Sequence, residues 1–409
     1  MTADNPVRPA RVLIVAGEAS GDLHAAGLME AMLAGKGTTA GEPAQTAAAR
    51  PPAVEFLGIG GPRMRAAGLR PLADAEALGV TGILEVIGSF GRIWSAFRAV
   101  TAPLADPARR PDLVILVDYP DFNLRVAGRA HRAGVPVLYY ISPQVWAWRQ
   151  GRVRQIARVV DRMLVILPFE EEFYRAAGVA VEFVGHPLLD RVRAGRNRDQ
   201  TLRPIGIDPR RPVVALLPGS RRNEVRAHLP AMLEAFRLLR LEFRDLQAVL
   251  PLAPTLDRAE VEAEVRRLAL PADRPLVVAE DRYDLVAAAD AAVVASGTAT
   301  LETALLGVPM VIVYRVNPVT YVMARLLSRV PHIGMPNLIA GRRVVPELVQ
   351  GECRPETIAR ELRRILTDPP AAAATRRALL EVRGRLGSPG AAARAAAAAW
   401  DMIAAARRT

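Results

Sequence analysis

The sequence of 409 residues contains a single cysteine, Cys353, and only five histidines. One cysteine excludes an internal disulfide framework and a multi-cysteine metal cage, and it agrees with a reducing compartment. The histidines show no metal-ligand spacing, and the chain lacks an Asp-x-Asp pair, a P-loop lysine motif and a Gly-x-Ser-x-Gly motif. We therefore expect no bound metal or other cofactor, and neither a P-loop NTPase nor a serine hydrolase.

Lysine is almost absent as well, because Lys36 is the only lysine among 54 basic residues. The net charge of +12 is therefore carried by arginine. A GC-rich genome supplies arginine without selection for binding, although arginine also suits phosphates and anionic membrane surfaces. The arginines are spread along the chain and aromatic residues make up only 5% of it, so nucleic acid is not an expected partner.

Long apolar runs are also missing. The stretch from Ala291 to Tyr314 is interrupted by Glu302, Gly307 and Pro309, so it does not fit a membrane-spanning helix. The first ten residues lack the charged and apolar segments of a signal peptide, and we expect a cytoplasmic protein. With 51% hydrophobic residues, a chain of this length can form two domains with large cores.

Strand-like runs alternate with helical stretches along the whole chain, which predicts an α/β protein with parallel sheets flanked by helices. The segment 190–212 is rich in Arg, Asp, Gly and Pro, and it predicts a linker. We expect two doubly wound, Rossmann-like domains at 11–189 and 213–369 that face each other across a cleft, followed by C-terminal helices over 370–409. The predicted strands are Val12–Ala16, Val54–Leu57, Leu113–Val117, Pro136–Tyr140, Met163–Leu167, Val181–Val184, Val213–Leu217, Ala248–Leu250, Leu276–Val278, Ala292–Val294 and Met310–Val313.

In the first half, polar residues follow several predicted strands, and ligands of open parallel sheets bind at that edge. The strand Leu113–Val117 is followed by Asp118 and Asp121, of which one is a candidate general base. The alternative is that Asp121 caps the next helix. Gly17–His24 is a glycine turn that opens a helix and can face an anion, with helix capping by Ser20 or Asp22 as the alternative.

Two tryptophans, Trp146 and Trp148, stand on one loop after the strand Pro136–Tyr140, beside Gln144. Core packing readily explains one of them. A pair next to a polar side chain is also suited to stacking on a sugar ring.

In the second half, Leu216–Glu224 forms a strand, a glycine turn and a helix start that carries arginines. Cations at a helix N-terminus oppose the helix dipole, and a phosphate bound between the helix start and Arg221 removes the conflict. Ala295–Glu302 repeats the strand–turn–helix pattern, and Glu302 can accept hydrogen bonds from a ribose diol. The two patterns together predict a nucleotide-binding domain.

Taken together, these segments resemble the lipid-A-disaccharide synthases, inverting glycosyltransferases of the two-domain GT-B type. The likeness covers roughly residues 11–365, and two of its blocks, DYPDFN and SPQVWAWR, are specific to that family. The matching blocks are GEASGD at Gly17, GIGGPRM at Gly58, GVTGILEVI at Gly79, DYPDFN at Asp118, SPQVWAWR at Ser142, VGHPLLD at Val184, LLPGSRRNEV at Leu216, ASGTATLE at Ala295 and PNLIAGRRVVPE at Pro336.

The resemblance implies transfer of 2,3-diacylglucosamine from its UDP derivative to the 6-hydroxyl of 2,3-diacylglucosamine 1-phosphate, giving a β-1,6 disaccharide and UDP. It implies that Asp121 is the catalytic aspartate, with Asp118 beside it. The candidate nucleotide-sugar residues are Gly219, Ser220, Arg221, Ser296, Gly297, Thr298, Glu302 and Asn337, and the candidate acceptor residues are Glu18, Ser20, Asp22, His24, Asn123 and Gln144.

An apolar segment, Leu78–Arg98, has large side chains at helical spacing. On its own it predicts a core helix. In an enzyme of diacylated sugars, the resemblance implies instead a patch that docks on the inner face of the membrane. The patch comprises Leu84, Val86, Ile87, Phe90, Ile93, Trp94 and Phe97.

The resemblance also implies a homodimer formed through the C-terminal helices. Two alternatives to the transferase stay open at this point. One is a UDP-N-acetylhexosamine epimerase of the same fold, which would share the nucleotide half of the chain. The other is a non-catalytic, membrane-associated sugar-binding subunit, which would tolerate the loss of Asp121.

Overall fold

The computed structural model describes residues 8–35, 53–74, 83–148, 150–267, 276–280, 282–318, 321, 322, 325 and 330–408, without the side chains of residues 19, 83–90 and 148. The chain divides into two compact units. The first unit comprises Met1–Asp190 together with Gly387–Thr409, and the second comprises Arg191–Leu386.

The first unit contains a sheet of seven strands in the order β3-β2-β1-β4-β5-β6-β7. All neighbouring strands in it are parallel. Its strands are β1 Ala10–Ala16, β2 Val54–Ile59, β3 Leu69–Pro71, β4 Leu113–Val117, β5 Val137–Tyr140, β6 Arg162–Val165 and β7 Val181–Phe183.

The second unit contains a six-stranded sheet in the order β10-β9-β8-β11-β12-β13, again parallel throughout. Its strands are β8 Val213–Leu217, β9 Gln247–Pro251, β10 Leu276–Ala279, β11 Ala291–Ala295, β12 Met310–Tyr314 and β13 Glu347–Val349.

Helices connect the strands in both units. Those of the described residues are α1 Ala19–Ala34, α2 Pro62–Ala66, α3 Ile83–Ala105, α4 Pro120–Arg132, α5 Val145–Trp148, α6 Val153–Val159, α7 Pro168–Ala176, α8 Leu188–Arg191, α9 Arg198–Leu202, α10 Arg222–Glu242, α11 Arg258–Arg267, α12 Arg282–Ala287, α13 Thr298–Leu305, α14 Met335–Ala340, α15 Pro355–Thr367, α16 Pro369–Arg385 and α17 Ala391–Ala406.

The central strands are buried on both faces, which explains their continuous apolar sequence. Every residue of β4, β8 and β11 is buried, and β1 has one partly exposed position, Arg11. Two strands escaped sequence prediction, Leu69–Pro71 and Glu347–Val349. Each lies at a sheet edge, and neither is a continuous apolar run, because the first contains Arg70 and the second begins with Glu347. The predicted fold class, two doubly wound parallel sheets, is confirmed.

Each sheet reverses its winding direction once, between β1 and β4 in the first unit and between β8 and β11 in the second. In doubly wound sheets, ligands bind beyond the carboxyl ends of the strands at this switch point. The segments that follow these four strands are the Gly17, Asp118, Gly219 and Ser296 motifs of the sequence. The topology therefore places these four motifs at the switch points of the two units.

The last helix belongs to the first unit, although it follows the second in sequence. Helix α17 packs against α1, and Arg394 donates to the Val184 carbonyl oxygen at 2.9 Å. Arg407 forms an ion pair with Asp112 at 3.0 Å. The segment 190–212 contains helical turns rather than an extended connection. A dimer formed through the C-terminal helices stays a prediction.

Candidate active site

The turn after β4 has a strained backbone. Asp118 and Tyr119 both adopt positive φ angles, 49° and 48°, and Ile141, after the neighbouring strand β5, has φ 62°. Bulky and β-branched residues rarely adopt this left-handed conformation, and each such residue costs about 1–3 kcal/mol. Strain of this kind persists only where surrounding contacts enforce it.

Four contacts hold the turn after β4. The Tyr139 hydroxyl and the Asn123 side-chain amide both donate to the Asp118 carbonyl oxygen, at 2.5 and 2.7 Å. The Asp118 N–H donates to the carbonyl oxygen of Ile141 at 3.2 Å. The Tyr119 ring lies directly on Gly17, where a Cβ atom would stand 2.7 Å from the ring. Asn123, a candidate acceptor residue, is fully buried in this role.

Asp118 lies in an environment that favours its protonated form. Burial and the nearby charge of Glu18 raise the pKa of Asp118 to about 6, against the opposing effect of a backbone hydrogen bond from Tyr119. A carboxyl group with this pKa can exchange protons near neutral pH.

Asp121 points outward from the first turn of α4, with 70% of its side chain exposed. The helix begins at Pro120 and its N-cap is Tyr119, so the alternative in which Asp121 caps the helix is wrong. Proline has no N–H to lose and a fixed φ, and it is therefore well placed at the first helical position. The Arg152 guanidinium donates to Asp121 Oδ1 at 2.5 Å.

The loop after β5 is tied to a buried carboxylate. Glu170 accepts hydrogen bonds from the Ser142 hydroxyl at 2.6 Å, the Trp146 indole at 2.9 Å and the Leu167 N–H at 3.0 Å. Trp146 is buried and packs edge-on against Phe169, so the prediction that it stacks on a sugar is wrong. The side chain of Trp148 lies outside the described residues, and Gln144 is exposed.

The candidate acceptor residues after β1 divide by exposure. Glu18 and Ser20 are exposed, and His24 is partly buried. Asp22 is buried and accepts from the backbone N–H groups of Arg63 and Met64, both at 3.1 Å, at the start of α2. Asp22 thus holds a neighbouring helix rather than facing solvent.

His24 has a buried neighbour, His186, which sequence analysis did not single out. Burial and the charge of His24 lower the pKa of His186 to about 3, so this imidazole is neutral. In the described part of the chain, no three His, Cys, Asp or Glu side chains are grouped as metal ligands.

In the second unit, the turn after β8 is already occupied by a carboxylate of the chain itself. Glu224 Oε2 accepts from the N–H groups of Ser220 at 2.8 Å and Arg221 at 3.3 Å. Gly219 has φ 126°, and a Cβ there would stand 2.5 Å from the Glu224 side chain, so only glycine fits. Arg221 is exposed and pairs with Glu224 at 3.6 Å.

The motif after β11 lies at the start of α13. Gly297 and Thr298 are exposed, and the Ser296 hydroxyl donates to the Ile333 carbonyl oxygen at 3.0 Å. Glu302 is buried, accepts from the Tyr283 hydroxyl at 3.1 Å and forms an ion pair with Arg282. Its carboxylate is therefore engaged inside the unit and is not open to a ribose.

Asn337 has 0% exposed surface. Its amide donates to the Val345 carbonyl oxygen and to Glu347, and its oxygen accepts from the N–H groups of Val344 and Val345. All hydrogen-bonding positions of the side chain are used, which makes Asn337 an organiser of this loop. A buried residue that sequence analysis missed, His228, similarly bridges the Pro218 carbonyl oxygen and the Arg315 N–H.

Helix α3 presents only part of the predicted membrane patch. Phe97 is 9% exposed and packs edge-on against Phe122, so its assignment to the patch is wrong. Trp94 is 50% exposed and stacks on Phe97, and Ile93 is partly buried. The side chains of Leu84, Val86, Ile87 and Phe90, and the Gly79 segment up to Gly82, lie outside the described residues. Within the described residues, no helix is long and apolar enough to span a membrane.

Comparison with known proteins places these features in one family. The family described as lipid-A-disaccharide synthetase matches residues 12–396. A lipid-A-disaccharide synthase of Geobacter metallireducens is 48% identical over 394 residues, covering 96% of this chain and 97% of the relative.

Solved structures with the same fold are more distant. MurG of Acinetobacter baumannii has a TM-score of 0.56 at 15% identity, covering 96% of this chain and 99% of that one. A UDP-GlcNAc 2-epimerase of Neisseria meningitidis bound to UDP-GlcNAc has a TM-score of 0.58 at 12% identity, covering 97% and 100%. At these identities the likeness establishes the fold alone.

The clamp on the turn after β4 can be tested with two neighbouring tyrosines. Tyr139→Phe removes the hydroxyl that holds the Asp118 carbonyl oxygen, and we expect a loss of about 1 kcal/mol in unfolding free energy and a fall in turnover. Tyr140→Phe is the matched control, because the Tyr140 hydroxyl is buried without a hydrogen-bond partner in the described part of the chain. Urea unfolding measures the stability of each variant, and initial rates measure its turnover. Equal stability and turnover of the two variants would show that the hydrogen bond from Tyr139 is unimportant.

The raised pKa of Glu170 predicts that the stability of the protein depends on pH. Burial raises the pKa of Glu170 from 4.5 to about 7, although its three donors oppose the shift. The folded chain therefore keeps this proton after the unfolded chain has released it. The stability it contributes is complete below pH 4.5 and is lost as the pH rises to about 7.

We expect the unfolding free energy of the parent to fall by on the order of 3 kcal/mol between pH 4.5 and 7, relative to Glu170→Gln, which cannot titrate. Urea unfolding of both proteins at several pH values in this window is the measurement. Parallel pH profiles would mean that Glu170 is ionised in the folded chain.

Proposed function

We propose how catalytic work is divided in this chain, which belongs to the lipid-A-disaccharide synthase family and has that activity in lipid A biosynthesis. We assign 2,3-diacylglucosamine as the transferred group, its UDP derivative as the donor, and the 6-hydroxyl of 2,3-diacylglucosamine 1-phosphate as the acceptor. The product is the β-1,6 disaccharide 1-phosphate, with inversion at the anomeric carbon. Family membership excludes the epimerase and the non-catalytic subunit.

The reaction is one displacement at the anomeric carbon of the donor. The bond from the acceptor's O6 to that carbon forms as the bond from the carbon to the β-phosphate oxygen breaks, and UDP leaves with the electron pair. The O6 proton must go to a base, because a neutral hydroxyl is a weak nucleophile. We assign this base as Asp121, which receives the proton on its carboxylate.

The observation that carries this assignment is the strained turn after β4. It lies at the switch point of the first sheet, and two left-handed residues there lead into the helix turn that exposes Asp121. Strain held by four separate contacts points to a site whose geometry is maintained for chemistry. Asp118, with its pKa raised to about 6, is the second candidate base.

On the donor side, we assign the diphosphate to the turn after β8. The N–H groups of Ser220 and Arg221 and the Arg221 guanidinium are suited to the charge that develops on the leaving group. Glu224 holds those N–H groups in the absence of a ligand, so the phosphate takes the place of its carboxylate. With cationic and N–H donors for the leaving group, we propose a reaction that needs no metal ion.

Asp121→Asn tests the base. Asparagine keeps the shape of the side chain but cannot accept the proton, so we expect turnover to fall by about 10²–10⁴-fold with an unchanged melting temperature. Affinity for UDP should stay the same, because the assigned nucleotide residues lie in the other unit. Turnover, UDP affinity and melting temperature are measured on the same preparation.

Asp118→Asn is the matched comparison. Asparagine tolerates the left-handed conformation of residue 118 well, so this variant should fold. We expect it to lose less activity than Asp121→Asn. A loss confined to Asp118→Asn, with turnover of Asp121→Asn within a few fold of the parent, would move the base to Asp118.

We also propose that the enzyme binds the inner face of the cytoplasmic membrane through α3. Support comes from Trp94, a large exposed aromatic residue, and from the exposed Arg98 one turn further on. Tryptophan prefers the interface between lipid and water, and arginine is attracted to anionic headgroups. Phe97, by contrast, anchors the helix to the core of its unit.

Trp94→Ser should weaken binding to anionic vesicles and leave the melting temperature and the activity on detergent-dispersed substrate nearly unchanged. Phe97→Ala should instead lower stability by about 3–5 kcal/mol, because it empties a core position. Vesicle co-sedimentation and thermal unfolding separate the two effects. Undiminished vesicle binding by Trp94→Ser would contradict docking through this helix.

A further inference from the structure

The proposed base is restrained by an ion pair, because Arg152 donates to Asp121 Oδ1 at 2.5 Å. This is a charge-assisted hydrogen bond of the strong kind. The bond engages Oδ1 and restrains the direction in which the carboxylate faces. An anion that binds the Arg152 guanidinium would free Oδ1 and let the carboxylate turn towards a substrate hydroxyl.

Arg152 is held at its place by the loop after β5. The Gln150 side chain donates to the Trp146 carbonyl oxygen at 3.0 Å, and the Trp146 indole donates to the buried Glu170. Arg152 lies two residues after Gln150, at the N-cap of α6, with 26% of its side chain exposed. The loop that precedes Arg152 is thus held by hydrogen bonds, and the guanidinium itself stays partly exposed.

We propose that Arg152 binds the 1-phosphate of the acceptor sugar and thereby releases Asp121 to act as the base. This inference rests on the proposed function, which makes Asp121 the base and a sugar 1-phosphate the acceptor. In the free enzyme the ion pair keeps the base engaged. The arriving phosphate exchanges with the carboxylate on the guanidinium, and the base is then free to turn towards the acceptor hydroxyl.

The chemistry of the acceptor fits this exchange. Its 6-hydroxyl and its anomeric phosphate are attached on either side of the ring oxygen, so both substituents can reach one neighbouring pair of side chains. The hydroxyl then meets Asp121 while the phosphate meets Arg152. A guanidinium binds a phosphate through two parallel hydrogen bonds, and a phosphate dianion competes well with a single carboxylate.

The consequence is selectivity for phosphorylated acceptors. When a sugar without the 1-phosphate or a water molecule occupies the acceptor site, the ion pair between Arg152 and Asp121 stays formed. The same ion pair therefore disfavours transfer to the wrong sugar and hydrolysis of the donor.

The test compares two acceptors, with and without the 1-phosphate, on the parent and on Arg152→Gln. The parent should prefer the phosphorylated acceptor in kcat/KM by about 10- to 100-fold, as expected when one charged contact is lost. Arg152→Gln should lose that preference, mainly through a higher KM for the phosphorylated acceptor. Its activity on the unphosphorylated acceptor should stay the same or rise, and its UDP affinity should not change.

Arg154→Gln is the control, because Arg154 is an exposed arginine two residues further along the same helix start. It should keep the preference of the parent. Arg152→Lys keeps a cation without the planar fork and should retain part of the preference. Melting temperatures confirm that each variant is folded.

Three results would overturn the inference. These are a parent enzyme without preference for the phosphorylated acceptor, an Arg152→Gln variant that keeps the full preference, and an Arg154→Gln variant that loses it equally. The failure of the proposed function has a different signature, which is full turnover of Asp121→Asn.

Discussion

The strained turn between β4 and α4 is the constraint on which the first unit depends. Asp118 and Tyr119 both occupy left-handed conformations, and this geometry lets Pro120 open the helix and expose Asp121 one residue later. The cost of the strain, about 1–3 kcal/mol per residue, is offset by hydrogen bonds from Tyr139 and Asn123. The site is therefore built into the sheet and is not carried by a free loop.

The second unit also has a turn from strand to helix at its switch point, but this turn is stabilised differently. At its switch point the chain uses Gly219, which adopts its conformation with little strain, and the charge at the helix start is balanced by Glu224. In both units a side chain of the protein stands where a substrate group is proposed to bind. In the first unit, the Asp121 carboxylate occupies the Arg152 guanidinium, where the acceptor phosphate is proposed to bind. In the second unit, the Glu224 carboxylate occupies the N–H groups of Ser220 and Arg221, where the diphosphate is proposed to bind.

Sequence patterns predicted the buried strands and the segments that follow them, because burial on both faces and glycine turns leave strong local signals. They could not reveal pairs that the fold brings together, such as Arg152 with Asp121 or Trp146 with Glu170, since these residues lie far apart along the chain. Sequence patterns also did not show that Phe97 and Trp146 are buried. Their burial argues against Phe97 as a residue of the membrane patch and against Trp146 as a surface on which a sugar stacks. Helical spacing alone cannot tell which face of α3 turns inward.

The central claim is that the turn after β4 presents Asp121 to the acceptor hydroxyl. A crystal structure of the enzyme with UDP and the sugar 1-phosphate acceptor tests it most directly. The account predicts the acceptor's 6-hydroxyl within about 3 Å of the Asp121 carboxylate, in hydrogen-bond reach. A 6-hydroxyl bound instead to Asp118 or Glu18, with Asp121 turned away from the sugar, would contradict it.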